Sequence, residues 1–251
     1  MLLSGVILTP QGDIVYIYVA VVDQKGYDEK GPGSGHIKAR LELASGEPCL
    51  IVPYRRFNMK LVKDLQPRAI TMSGFGGHFE DHQVKWFWGM DEVLHYAEIP
   101  MLCFCGSHEV LGFSYNQNLR KTKILRDPII RQLRPNEDFP RRATADPKLK
   151  NRFLADGIFP IQQVQKDPLF KGLPKNMMMR CSHSCEVKKL PRDFELIASS
   201  DHCRIEGMRH KTKPLYGVQF HPEAFAPPYF HGRTLLENFA GIVNDYWSKR
   251  S

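Results

Sequence analysis

A chain of 251 residues, 42% hydrophobic and 25% charged, has ordinary globular composition and is long enough for one α/β domain to bury its own core. No repeat, low-complexity tract or collagen-like period is present, so fibrous and disordered classes are excluded. The formal net charge of +8 fits acidic partners, anionic substrates or simply a basic surface. No nucleic-acid-binding module accompanies it.

The opening segment, MLLSGVILTPQGDIVYIYVAVVD, lacks a basic leader and is broken by Gln11, Gly12 and Asp13, so neither a signal peptide nor a membrane span is expected. A cytoplasmic chain is the expectation. Ile14 to Val22 is a nearly continuous β-branched and aromatic run, the pattern of a strand buried on both faces. A glycine-rich loop follows from Gly26 to Gly35, then a helix from His36 to Ala44 closed by Gly46. Cys49 to Pro53 is a second strand, Asn58 caps a helix running to about Leu65, and Ala69 to Met72 is a third strand. His82 to Ala97 reads as a helix and Met101 to Phe104 as a fourth strand.

This alternation predicts a parallel sheet with helices on both faces, with the chemistry at the carboxyl ends of the strands. Residues 114–152 read as an insertion rich in basic residues and proline, with short helical pieces. It is either a solvated loop or a docking surface for an acidic partner or phosphorylated substrate. Beyond Gly157 short strand candidates of antiparallel character follow, namely Ile158–Gln165, Met177–His183, Glu195–Ser199, Arg204–Met208 and Tyr216–Phe220. A closing helix covers Leu235 to Trp247. One domain over residues 1–251 accounts for the whole pattern.

Six cysteines, Cys49, Cys103, Cys105, Cys181, Cys185 and Cys203, do not form a disulfide framework in a chain of this length. Cys181 and Cys185 could supply half of a metal site, but no second ligand pair has matching spacing, so no metal is expected. Cys105 follows a strand and precedes a helix, with small Cys103 and Ser107 two residues to either side and Gly106 next to it. A strained nucleophile turn needs small neighbours, and a helix N-terminus behind it favours a thiolate and offers N–H groups to an oxyanion. His221 stands at a strand end before Pro222, with Glu223 two residues on. Thiol, imidazole and an orienting carboxylate are the inventory of covalent acyl transfer.

The segment Tyr216 to Glu223, YGVQFHPE, resembles the histidine motif of class I glutamine amidotransferases. Ile70 to Gly74 with the glycines beyond resembles their oxyanion loop, and Pro100 to Leu111 their nucleophile elbow. Asp167 to Pro174, Cys181 to Pro191 and Phe194 to Ser200 resemble the run before the histidine motif. The resemblance spans nearly the whole chain and is greatest to the amidotransferase subunits of GMP synthetases, with γ-glutamyl hydrolases as related enzymes.

It implies a flavodoxin-like, mostly parallel sheet flanked by helices with a small antiparallel extension. It further implies Cys105 as nucleophile, His221 as base and Glu223 as its orienting acid. Gly106 with the Gly74, Phe75 and Gly76 loop would form the oxyanion hole. Glu109 and the stretch Ser182, His183, Ser184 and Cys185 would bind the substrate. Glutamine would give a γ-glutamyl thioester and ammonia for a partner synthetase, with no cofactor. No G-x-x-x-x-G-K-[ST] loop is present for ATP.

The chain departs from the family pattern at several places. Cys103 and Ser107 stand where glycines are usual, Glu109 where glutamine is usual, and Phe75 and Gly76 alter the oxyanion loop. Cys185 stands where aspartate is frequent. An ionised carboxylate at Glu109 would lack the amide's donor and would oppose a nearby thiolate. γ-Glutamyl hydrolases also carry Glu at that place, which leaves hydrolysis of γ-glutamyl compounds as one alternative and a catalytically silent binding module as another.

Overall fold

The computed structural model describes residues 15–21, 34–74, 77–137 and 147–250. Most of the glycine-rich loop at 26–35, and Phe75 and Gly76, lie outside these residues. Among the described residues nine strands form one sheet in the order β2-β1-β3-β4-β9-β8-β7-β5-β6. They are β1 (Tyr16–Ala20), β2 (Cys49–Pro53), β3 (Ala69–Met72), β4 (Met101–Phe104), β5 (Ala155–Gln163), β6 (Asn176–His183), β7 (Phe194–Ser199), β8 (Gly207–His210) and β9 (Leu215–Val218). The first four strands and β9 run parallel, and β8, β7, β5 and β6 continue the sheet with antiparallel pairings.

Helices α1 (Gly35–Ser45), α2 (Met59–Leu65), α3 (Trp88–Tyr96), α4 (Gly106–Asn116) and α5 (His231–Ser248) cover both faces. Alternation along the strands separates two cores. Ile17 and Val19 of β1 pack with Val62, Val93 and Leu111 beneath α2, α3 and α4. Tyr16, Tyr18 and Ala20 face the other way and pack with Leu41, Leu236 and Phe239 beneath α1 and α5. Each fully buried aliphatic side chain contributes about 1.5–3 kcal/mol. Gly46 ends α1 in the left-handed region at φ 74, its N–H donating to the Glu42 carbonyl, and the Asn58 side chain caps α2 by accepting from Leu61 N at 3.0 Å.

Two expected elements are corrected. The helix expected over His82 to Ala97 is α-helical only from Trp88, and Phe79–Asp81 and Val84–Phe87 are separate 3₁₀ turns. The aromatic rings of this stretch dictate the break: Phe79 and Phe87 are buried, and the His82 ring is hydrogen-bonded to Tyr54 Oη at 2.9 Å. The strand expected at Arg204–Met208 is Gly207–His210, because the backbone carbonyl of Glu206 receives Gln219 N before regular pairing begins. Among the described residues no helix is long and apolar enough to cross a membrane.

The insertion is stitched to the body. Ile130 N donates to the Ser184 carbonyl and Glu186 N to the Pro128 carbonyl, both within 2.9 Å. Asp127 accepts from Phe79 N at 2.8 Å and from Arg152 at 2.7 Å, and also pairs with His78. One short helical piece, Pro147–Leu149, is present, while 138–146 lie outside the described residues.

Candidate active site

β4 and β9 are neighbours, with Met101 opposite Leu215 and Phe104 opposite Val218. Their carboxyl ends therefore deliver Cys105 and His221 to the same edge of the sheet. Cys105 follows β4 with φ 46 and ψ −113, a conformation that non-glycine residues rarely adopt. Its N–H is tied to the Val218 carbonyl at 2.8 Å, and its carbonyl accepts the first bond of α4 from Glu109 N at 3.1 Å. Helix α4 thus starts immediately behind the thiol. The N–H of Gly106 belongs to the first turn, whose donors have no carbonyl within the helix to bond.

His221 is held by a backbone bond from its N–H to the Arg180 carbonyl at 2.8 Å. Its Nδ1 meets Glu223 Oε1 at 2.7 Å, which leaves the opposite ring nitrogen for the thiol. Burial alone would push this imidazole down. The Glu223 carboxylate and the Cys105 thiol outweigh burial and hold it well above the ordinary histidine range. Glu223 is itself buried, and its backbone carbonyl accepts from Arg40 of α1.

Gly74 lies against both groups. A Cβ at this position would stand 2.9 Å from Cys105 Cβ, 3.0 Å from His221 Cε1 and 3.3 Å from the thiol sulfur. Only glycine lets the loop backbone approach so closely. Ser107, unusual at its position, donates its hydroxyl to the Ser73 carbonyl and so ties this loop to α4. Cys103 is fully buried with its sulfur 3.9 Å from Met72 Sδ, so its bulk goes into the core between β3 and β4.

Glu109 projects from the first turn of α4, 5% exposed, and Gln219 Nε2 donates to its Oε1 at 2.8 Å. Burial raises its carboxyl to about 8, against the opposing bond from Gln219, with Asp127 and Glu186 adding to the rise. Burial therefore favours the neutral form of Glu109, in which the carboxyl can donate one hydrogen bond.

The Ser182 carbonyl is 4.0 Å from Cys105 Sγ. Ser184 and Cys185 lie beyond it, where the insertion pairs with the chain through Ile129 and Cys185. His183 is turned back, its Nδ1 donating to the Cys185 carbonyl at 2.8 Å. Gln219 and Asp127 join the expected residues here. Gln219 lies within the histidine motif, whereas Asp127 carried no signal in the basic insertion. The other five thiols, Cys49, Cys103, Cys181, Cys185 and Cys203, are all raised by burial.

The family model "Glutamine amidotransferase class-I" matches residues 42–242. A glutamine-hydrolysing GMP synthase subunit of Methanosphaera stadtmanae is 42% identical over 185 residues, 74% of this chain and 80% of the relative. The namesake from Methanocaldococcus jannaschii is 32% identical over 58% of this chain and 61% of its own length. For the relative from Pyrococcus furiosus the aligned part is 44% of that protein. The crystal structure of a putative GMP synthase subunit from Thermoplasma acidophilum superposes with a TM-score of 0.66 over 94% of this chain and 98% of the other, at 22% identity, a likeness of fold. With a family model covering most of the chain and this sheet order beneath it, the protein belongs to the class I glutamine amidotransferase family.

Proposed function

We propose that the protein hydrolyses the side-chain amide of glutamine through Cys105, His221 and Glu223 and supplies the ammonia to a partner synthetase. The observation that carries this reading is the strained Cys105 turn facing an imidazole whose far nitrogen is fixed 2.7 Å from Glu223. In this reaction His221 takes the thiol proton and the sulfur attacks the amide carbon. Backbone N–H groups of Gly106 and of the Gly74, Phe75 and Gly76 loop receive the charge that develops on oxygen. The carbon–nitrogen bond breaks, His221 returns the proton to the departing ammonia, and water then cleaves the thioester to glutamate. The stretch Ser182 to Cys185 and Glu109 hold the amino-acid end of the substrate. The names of the relatives, which are subunits of a glutamine-hydrolysing synthase, support a partner that consumes ammonia.

The test is labelling with 6-diazo-5-oxo-norleucine followed by mass mapping, with Cys105→Ala as control. One adduct, on Cys105 and absent from the variant, is expected. Equal labelling of Cys49 or Cys203 sinks the assignment.

Glu109 decides between glutamine and other γ-glutamyl compounds. Held neutral, its carboxyl donates as the usual glutamine amide would, which favours glutamine. Glutamine kcat/KM is therefore expected to fall about tenfold per pH unit above about 8 as Glu109 ionises, and Glu109→Gln removes that limb. Stability follows the same sign. Burial of Glu109 costs nothing below the ordinary carboxylate pKa, where folded and unfolded chains are both protonated. Above it, stability falls by about 1.4 kcal/mol per pH unit until the folded group ionises near 8. Glu109→Gln is expected to melt higher than wild type near pH 7 and to lose that advantage near pH 4. Superimposable pH–rate profiles for the two proteins contradict the role. A preference for γ-glutamyl peptides over glutamine instead favours a γ-glutamyl hydrolase.

A further inference from the structure

Behind the strand that faces Cys105, four donor groups from two separate chain segments converge. Cys181 and His183 sit on β6, and His202 and Glu206 on the connection between β7 and β8. One ligand atom from each, the Cys181 sulfur, a ring nitrogen of each histidine and a Glu206 carboxylate oxygen, all lie within 4.8 Å of one another. Cys181 and Glu206 are 0% exposed and His183 is 4% exposed.

The polar atoms are not satisfied by one another. His183 Nε2, His202 Nε2 and Glu206 Oε2 are buried and have no hydrogen-bond partner among the described residues. His202 Nε2 comes within 3.3 Å of Glu206 Oε1, without the geometry of a hydrogen bond. Leaving such atoms buried and unpaired is unfavourable, and most so where a carboxylate is concerned.

The surroundings orient these groups toward a common point. His183 Nδ1 donates to the Cys185 carbonyl at 2.8 Å, which selects the tautomer with a lone pair on Nε2. Ser200 Oγ donates to Glu206 Oε1 at 2.7 Å and leaves Oε2 for another partner. Phe159 stands edge-on to the His202 ring at 4.9 Å, with Phe153 at 5.7 Å, so the cluster has an apolar wall.

We propose that Cys181, His183, His202 and Glu206 bind a structural zinc ion. One thiolate, two neutral imidazoles and one carboxylate make a four-coordinate set for which Zn²⁺ is well suited, and the two negative ligands cancel its charge in a buried place. Binding transfers the Cys181 thiol proton to solvent as the sulfur–metal bond forms. Four protein ligands leave no position for water, so the ion holds structure and carries no chemistry of its own.

What it holds lies directly beneath the reacting pair. Residues of the same strand supply the Ser182 carbonyl near Cys105 Sγ and the Arg180 carbonyl that anchors His221 N. The backbone carbonyl of Glu206 accepts from Gln219 N at 2.8 Å, and the Gln219 side chain in turn bonds Glu109.

The full-length chain, purified without chelator, is assayed for metal by elemental analysis. The expected result is about one zinc per chain that survives dialysis. After removal of the metal, Co²⁺ should give a sulfur-to-cobalt charge-transfer band with the intense visible bands of a tetrahedral site. His202→Ala and Glu206→Gln should lose the zinc and the spectrum, whereas Cys203→Ser keeps both. A strong chelator should lower the melting temperature of wild type and leave that of His202→Ala unchanged. A wild-type chain that is metal-free as purified and takes up neither Zn²⁺ nor Co²⁺ overturns the proposal without recourse to any variant. Stoichiometric zinc retained in both variants overturns it equally, since the ion is then bound elsewhere.

Discussion

Cys105→Ala and Cys105→Gly are both expected to lower glutamine hydrolysis by about 10⁴-fold or more, the loss typical of removing a nucleophile that acts as one unit with its base. Their melting temperatures should nevertheless differ. At φ 46 and ψ −113 any side chain strains the backbone, at a cost of about 1–3 kcal/mol. Alanine keeps that strain, and glycine releases it while adding about 0.5–1 kcal/mol of unfolded-state entropy. The glycine variant should therefore be the more stable by about 1 kcal/mol, a shift of roughly 2–4 °C for a chain of this size. Calorimetry of the pair reads the strain with chemistry absent from both. Identical melting would mean that the turn stores none.

Gly74→Ala is expected to reduce kcat by about 10²–10³ with little change in melting temperature. The added methyl would meet Cys105 Cβ at 2.9 Å and His221 Cε1 at 3.0 Å, so either the loop retreats or the reacting groups move apart. A retreating loop takes its backbone donor from the developing oxyanion, and the loss of one such donor typically costs that factor. Alkylation of Cys105 by a small electrophile should persist, because the thiol itself remains. A variant with wild-type kcat would show that the loop backbone takes no part in turnover.

The parallel half of the sheet was legible because its strands are short apolar runs bounded by Pro, Gly and Asn. Cys49–Pro53, Ala69–Met72 and Met101–Phe104 coincide with the expected spans. The His82–Ala97 stretch misled because helical spacing does not reveal which aromatic rings must turn inward, and Phe79 and Phe87 do so through 3₁₀ turns. Arg204–Met208 read as a strand because alternation alone places Glu206 facing solvent, whereas that side chain is fully buried. At the site, Cys105, His221 and Glu223 could be named because two of them lie within one short motif and the third within an elbow pattern. The convergence of Cys181 and His183 with His202 and Glu206 was illegible. It depends on the connection between β7 and β8 reaching β6 across the antiparallel extension, and the Cys181–Cys185 spacing drew attention to the wrong partner. Asp127 was hidden for a similar reason, being one acidic residue in a basic stretch whose partners His78 and Arg152 lie in separate segments.

A single ladder, Met101–Phe104 against Leu215–Val218, sets the separation of thiol and imidazole, although a long excursion of chain runs between them. The reacting pair thus behaves as a local property of two adjoining strands. Length or charge added around residues 117–137 falls outside that ladder. The spacing of the pair can therefore stay fixed while the stretch of chain between the two strands changes in length or sequence.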